Sequence, residues 1–449
     1  MKSYITKNPS FIESLKFVHN ISVSVEENMA EYGDLFKLKL PFHSIYAVAG
    51  PQALHDILIK NDANFIKSKI YWAQLRAVVG DALGTYEGEE FVWMKKLQMK
   101  AYTKAQAEIH LHEVIRSNES HFAEWETHSK PLNITHAFSE LNVAILLKVL
   151  FGKEHDGLCD TIAHYIADGE ETISWRSAFP WRPYTAWLNG RNQRYKKSVK
   201  FFGKITDDII AKNLDRPPLN SLIGLLLSES SFLKENSNID KEIIRNELII
   251  HLGAGTETAA VGMGWAFYLL HKHPGVKKKI FQEIDEVVGC NQIKPEHAFQ
   301  LEYTAMVLKE ALRLYPPSHG IVRDAIGEVR IGEMYAKPGD TFFISTYALH
   351  RNPKYWQSPN EFIPERFKTE PEDYTYIPFG AGKHSCIGRY LAQPMMILAV
   401  AQFLQKFDFE MNVTEPVLPL SMATLKPNQP LLINVTERRP DSKTKTQMT

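Results

Sequence analysis

The stretch Phe379-Gly380-Ala381-Gly382-Lys383-His384-Ser385-Cys386-Ile387-Gly388-Arg389 sets three glycines within nine residues around a single cysteine. Glycine at that density admits backbone conformations closed to other residues and lets the chain approach a bulky group. The apolar run from Tyr390 to Phe403 reads as a helix. Its first free N–H groups, at the positive end of the helix dipole, point back toward the sulfur. A thiolate is favoured over a thiol in such a place. Cysteine thiolate as an axial iron ligand pushes electron density onto the metal and favours O–O cleavage. A lone cysteine after a glycine-rich turn is nonetheless more often a buried, inert side chain, so the reading needs support from the rest of the chain.

That support lies upstream. The longest helical pattern runs from about Asp240 to Lys272, and at ~1.5 Å per residue it spans nearly a whole domain. Between Leu248 and Leu270 its only carboxylate is Glu257, within Gly253-Ala254-Gly255-Thr256-Glu257-Thr258. Small residues there let a flat cofactor or substrate lie against the backbone, and threonine can divert an i−4 carbonyl. A carboxylate beside a hydroxyl in an apolar helix makes a plausible proton relay; a tolerated polar pair against another helix is the plain alternative. The helix predicted over Leu301 to Tyr315 ends at Pro316-Pro317 and places Glu310 and Arg313 on one face. Arg366 follows in Pro364-Glu365-Arg366-Phe367.

Taken in order, these segments resemble the cytochrome P450 family. Phe379, Gly382, Cys386 and Gly388 match its haem-ligand loop, F-x-x-G-x-x-x-C-x-G. Ala254, Gly255, Glu257 and Thr258 match its A-G-x-[DE]-T motif, with Ala259 where a second threonine often stands. Glu310, Arg313 and Arg366 match its E-x-x-R plus arginine network, whose role is structural. The resemblance covers roughly Tyr32 to Val435. It implies a mainly α fold with small β-sheets (α+β), one domain over residues 1–449 and a long central helix over the haem.

The implied cofactor is haem b, iron protoporphyrin IX, with Cys386 on the metal. Phe379, Gly380, Gly388, Ala254 and Gly255 would lie against it, and Lys95, Arg323 and His384 would bind its propionates. The family usually places Trp and Arg or His four apart in the segment where this chain has Phe91 and Lys95, and usually arginine where His384 stands. A propionate clamp of altered geometry, leaning on Arg323, is therefore expected. Glu257 and Thr258 would relay protons to dioxygen. Substrate would touch Tyr71, Trp72, Val78, His251, Ala254, Ile321, Met422 and Ala423, although a core role for His251 is at least as good a reading. The implied activity is oxidation of a hydrophobic small molecule, terpenoid, fatty acyl or polyketide-like. Electrons would come from a separate ferredoxin and ferredoxin reductase docking near Lys383, Arg389 and Lys95 to Lys100. The alternatives are a peroxide-using peroxygenase or isomerase, and a non-enzymatic haem carrier or sensor.

The remaining segments fit one domain. Gly33 to Leu40 and His43 to Val48 read as a hairpin opening a β-rich part at about 33–60, and Pro51 to Lys60 as a short helix. Phe65 to Thr85 shows no firm periodicity. Helical patterns fill Ala105 to Phe151, Gly157 to Ser174, Arg191 to Asn213 and Leu219 to Leu227, giving a helical core over about 88–318. Trp175 to Arg194 reads as a loop between lid helices. Val329 to Tyr335, Thr341 to Ser345 and Leu431 to Val435 read as strands, and Arg438 to Thr449 as a frayed tail.

Composition narrows the classes further. The 449 residues are 44% hydrophobic, ample for a large core. Lys plus Arg and Asp plus Glu number 52 each, so no global field attracts nucleic acid or anionic membrane. Cys159, Cys290 and Cys386 do not make a disulfide framework, which fits a reducing compartment. Charges interrupt every apolar run of Met1 to Glu31, so neither a signal peptide nor a membrane anchor is expected there. A soluble, bacterial-type, cytoplasmic monomer is the expectation.

Overall fold

The computed structural model describes residues 8–17, 20–39, 44–126, 130–152, 157–178, 191–218, 221–230 and 239–438. Alternating side chains between Leu35 and Val48 form strands β1 (Leu35–Lys39) and β2 (Ser44–Val48), paired antiparallel as their pattern predicts. β3 (Phe65–Lys67), β5 (Gly320–Ala325) and β8 (Thr341–Ser345) join them in a five-stranded sheet of order β1-β2-β8-β5-β3. The first hairpin therefore joins the sheet through β2 pairing parallel with β8, a strand far along the chain. The short β4 (Leu132–Asn133) belongs to a three-stranded sheet with β9 (Phe407–Met411) and β12 (Leu432–Glu437). β6 (Val329–Ile331) pairs β7 (Met334–Ala336), and β10 (Pro419–Ser421) pairs β11 (Leu425–Pro427).

Helices make up most of the rest. The segment that showed no periodicity is a regular helix, α1 (Lys69–Val79). It is followed by α2 (Gly88–Gln98), α3 (Lys104–Glu126), α4 (Ile134–Phe151), α5 (Cys159–Ala178) and α6 (Arg191–Asn213). The central helix α7 spans Lys241–Lys272; Asp240 caps it, accepting from the Ile243 N–H at 2.9 Å. α8 (Glu302–Leu314) and α9 (Arg389–Lys406) complete the frame. Pro51–His55 is helical, and Asp56–Lys60 continues it as a wider π turn.

The core lies where α4 and α7 cross. α4 is predominantly apolar, and among the described helices it alone is long and apolar enough to cross a membrane, yet 78% of that window lies buried inside the protein. Its close approach to α7 depends on glycine. A Cβ on Gly255 would meet Leu146 at 2.8 Å, and one on Gly264 would meet Thr135 at 2.3 Å. The small residues of α7 thus serve a neighbouring helix as well, and Gly255, expected against the cofactor, also lines the cavity at Cys386.

Two corrections concern chain ends and loops. Arg438, read as the start of a frayed tail, is pinned by Asp285 at 2.6 Å because a buried guanidinium takes up a carboxylate partner. The loop read over Trp175 to Arg194 begins as helix through Ala178 and resumes as helix at Arg191, and its residues 179–190 lie outside the described ones.

Candidate active site

A cavity of about 1000 Å³ lies between the Cys386 loop and α7. Backbone geometry makes the loop. The Cys386 N–H donates to the Phe379 carbonyl at 2.8 Å, closing a tight bend, and Gly380 and Gly382 take φ of 71° and 70°. Gly382 also sits so close to the Asp56–Lys60 turn that a Cβ would lie 2.3 Å from the Leu58 carbonyl oxygen. Phe379, Gly380, Cys386 and Gly388 all line the cavity as expected.

Cys386 has exposed surface, but that surface faces the cavity while the thiol itself is surrounded by protein. Burial pushes the Cys386 thiol up; the Gly388 N–H and the Lys95 and Arg389 charges pull it down without overcoming burial. The thiolate expected from the helix dipole is therefore not produced by the protein alone. A cation at the sulfur would supply the missing term, since a coordinated thiol is deprotonated outright.

Lys95, Arg323 and His384 line the cavity as expected. The Lys95 ammonium also donates to the carbonyls of Lys383 and Ser385, capping the turn before the cysteine. Lys67, on β3, takes a place in the rim that sequence reasoning did not assign to it. Its register opposite Arg323 puts both side chains on one face of the sheet. Lys67 donates to the Leu83 and Tyr86 carbonyls and lies over the rings of Trp72 and Phe91. The signal that could have found it is a lysine at an inward position of a short β-prone run.

His384 lies against Phe91, ring centroids 4.2 Å apart, and neither ring nitrogen has a hydrogen-bond partner among the described residues. Burial, then the charges of Arg323, Lys67, Lys383 and Lys95, hold its pKa down to about 2. Burial likewise lowers Lys67 to about 8 and Arg323 to about 10. No carboxylate lines the cavity among the described residues. A site with one sulfur in its floor, orphaned imidazole nitrogens and crowded cations at one edge fits a metal-bearing group with two carboxylates. Haem is such a group.

On the opposite wall Thr258 faces the cavity, and its Oγ1 donates to the Ala254 carbonyl at 2.6 Å, the diverted i−4 carbonyl expected. Glu257 does not line the cavity. The helical step from Thr258 turns it onto another face, where it pairs with Lys426 at 2.5 Å and accepts from the Ser139 hydroxyl at 3.1 Å.

Of the residues expected to touch substrate, Trp72, His251, Ala254, Ile321, Met422 and Ala423 line the cavity. Val78 does not, because the last turn of α1 carries it past the wall; Gln74, Leu83 and Gly84 line it instead. The Tyr71 side chain lies outside the described atoms. His251 has both nitrogens engaged, Nδ1 with the Tyr102 hydroxyl at 2.8 Å and Nε2 with Gln98 at 2.5 Å. It is thus a structural histidine exposed at the cavity wall.

Beneath the loop, Glu310 holds Arg313 through two bonds of 2.7 and 2.8 Å and accepts from Arg366 Nε at 2.9 Å. The trio expected from the sequence is assembled, with Glu310 and Arg313 fully buried and Arg366 at its edge.

The chain belongs to the cytochrome P450 family: the family model "Cytochrome P450" matches residues 5–435. Among curated relatives, a 6,7,8-trihydroxycoumarin synthase of Pastinaca sativa is 28% identical over 85% of this chain and 80% of its own. A cyclooctat-9-en-7-ol 5-monooxygenase of Streptomyces melanosporofaciens is 26% identical over 85% and 83%. Cytochrome P450 3A15 of Cavia porcellus is 31% identical over 69% and 65%. The protein is accordingly a cytochrome P450 monooxygenase whose cofactor is haem. Relatives from plants and mammals stand beside the bacterial one, so the similarity does not single out the soluble bacterial type.

Proposed function

We propose that this monooxygenase oxidises a hydrophobic small molecule of biosynthetic origin, terpenoid, fatty acyl or polyketide-like, with electrons from a separate ferredoxin and its reductase. The observation that carries the reading is a single cavity with the Cys386 sulfur in its floor and Thr258 in its roof. Apolar side chains including Leu83, Ile250, Ile321, Phe343 and Met422 form much of its wall. Such a wall displaces water from an apolar guest and leaves orientation to a few polar groups. Lys69 and Arg176 also reach the wall and suit a guest with an acyl carboxylate. Relatives named for a trihydroxycoumarin and for cyclooctat-9-en-7-ol support small ring systems as guests.

When bound, haem held by the Cys386 sulfur would supply one-electron and dioxygen chemistry. The chain's own residues do the rest. Cys386 is the ligand, and Lys95 steadies its loop. Arg323, Lys67 and His384 would hold the two propionates by charge-assisted hydrogen bonds. Thr258 holds a hydroxyl at the roof, within one residue of Glu257, which supplies the acid. We propose a cytoplasmic, monomeric, bacterial-type protein, a reading supported by three free cysteines without a disulfide.

A spectral titration with a panel of terpenoids, fatty acids and polyketide fragments tests the substrate class. The expected result is a shift of the haem spectrum at micromolar concentration with at least one of these classes, and no shift across the panel would overturn the substrate reading. Turnover with ferredoxin, reductase and NAD(P)H, set against hydrogen peroxide alone, tests the electron source. Product formed with peroxide and none with the electron chain would favour a peroxygenase.

A further inference from the structure

The acid of the relay motif is one member of a buried chain of charges behind the cavity wall. Lys426, on β11, lies 2.5 Å from Glu257 on α7 and 3.3 Å from Glu170 on α5. Glu257 and Glu170 are buried or nearly so, and the lysine between them is largely covered. Thr424 lies at 3.5 Å from Glu170, and Ser139 donates to the far oxygen of Glu257. Two carboxylates share one ammonium, so the group bears a net negative charge unless one acid keeps its proton. Burying an uncompensated charge is costly, and protonation is the cheaper outcome. Burial first, then the Glu257 charge, raises the Glu170 pKa to about 8, and the Lys426 and Thr424 contacts oppose this. Lys426 itself is raised by both carboxylates against burial.

Position gives the chain its direction. Glu257 is adjacent to Thr258, which faces the cavity. Glu170 is one helical turn before Ser174, another cavity residue, whose Oγ accepts from the Ala423 N–H at 2.7 Å. The same contact ties α5 to the turn carrying Met422 and Ala423.

Resting on the reading of Glu257 and Thr258 as the proton route, we propose that Glu170 and Lys426 are positioning residues that load protons onto Glu257. Lys426 passes one ammonium proton to the Glu257 carboxylate. Glu170 returns its carboxylic proton to the Lys426 amine, restoring the ammonium. The net change is one proton moved from Glu170 to Glu257, and Glu170 is reprotonated from solvent.

Two variants test this in the haem-loaded full chain. Glu170→Gln keeps the shape and lacks the proton. Lys426→Arg keeps the charge and the pairing with carboxylates, but guanidinium does not deprotonate in proteins. Infrared titration of the ferric wild-type protein is expected to show a protonated-carboxyl C=O band that disappears with a midpoint near pH 8, and Glu170→Gln is expected to lack it. The share of NAD(P)H electrons recovered as peroxide rather than water, driven by ferredoxin without substrate, is the second readout. In the wild type that share rises through the same pH range. In both variants it is flat with pH and raised about tenfold at pH 7, less than the ~100-fold expected of a direct donor. A titrating band kept in Glu170→Gln, or a wild-type pH profile in Lys426→Arg, overturns the proposal. The carbon monoxide spectrum of the reduced wild type separates the two failures. Without its thiolate signature the site reading falls as well, whereas with the signature intact only the loading role is lost.

Discussion

Arg313 donates from Nη1 to the carbonyl oxygen of His350 at 2.7 Å. His350 in turn accepts at Nε2 from the Ile377 N–H at 2.8 Å, two residues before Phe379. The acid–base trio thus reaches the cysteine loop through one histidine. Tyr376 adds a second tie, its hydroxyl donating to the Lys309 carbonyl at 2.9 Å.

Removing Glu310 strands Arg313 as a buried, unpaired charge. Glu310→Ala is expected to cost about 3–5 kcal/mol. Urea unfolding of the wild type and variant checks this, with haem content at equal protein as a second measure. A loss below about 1 kcal/mol, the size of a surface pair, would show that the trio does not brace the loop.

His350 predicts an acid sensitivity with a definite sign. Burial and the Arg313 charge depress its folded-state pKa to about 3, well below the ordinary histidine value. The unfolded chain therefore binds the extra proton first. The stability contributed by neutral His350 is complete above about pH 6.5 and declines as pH falls toward about 3, by up to ~1.4 kcal/mol per pH unit. His319 is depressed by burial in the same direction, so the comparison must be with His350→Gln. The variant is expected to lose part of the slope of melting temperature against pH; identical slopes would rule His350 out.

How much of this was legible beforehand depends on how local each feature is. The cysteine loop, the α7 motif and the Glu310–Arg313 pair are written in short spacings, and the structure assembles all of them. Lys67 was missed because its partner in register, Arg323, lies far along the chain, and a three-residue strand has no pattern of its own. The second role of Lys95 could not be read, because the carbonyls it caps belong to the distant cysteine loop. Helix α1 was hidden because it is short and flanked within Phe65 to Thr85 by a strand and by turns, which break the period. The partner of Glu257 could not be read because Lys426 comes after the last helix.

Gly382 combines φ of 70° with the Leu58 carbonyl oxygen 2.3 Å from where a Cβ would stand. Gly382→Ala is expected to cost more than about 2 kcal/mol, the left-handed conformation alone taking about 1–2. It should also raise the rate of haem loss to apomyoglobin. An unchanged rate would mean that the loop is not held by this contact.

Thr258→Ala removes the hydroxyl at the cavity roof and frees the Ala254 carbonyl. The share of NAD(P)H electrons released as peroxide is expected to rise about tenfold or more, with NAD(P)H consumption retained. Coupling equal to that of the wild type would take Thr258 out of the proton route.

The central claim is that the sulfur of Cys386 binds the haem iron, and the spectrum of the reduced protein under carbon monoxide reads that bond. The wild type is expected to show the strongly red-shifted Soret band of a thiolate-ligated haem, and Cys386→Ala to lose it while still folding. A Cys386→Ala protein that keeps the red-shifted band, or a haem-replete wild type that never shows it, would contradict the account.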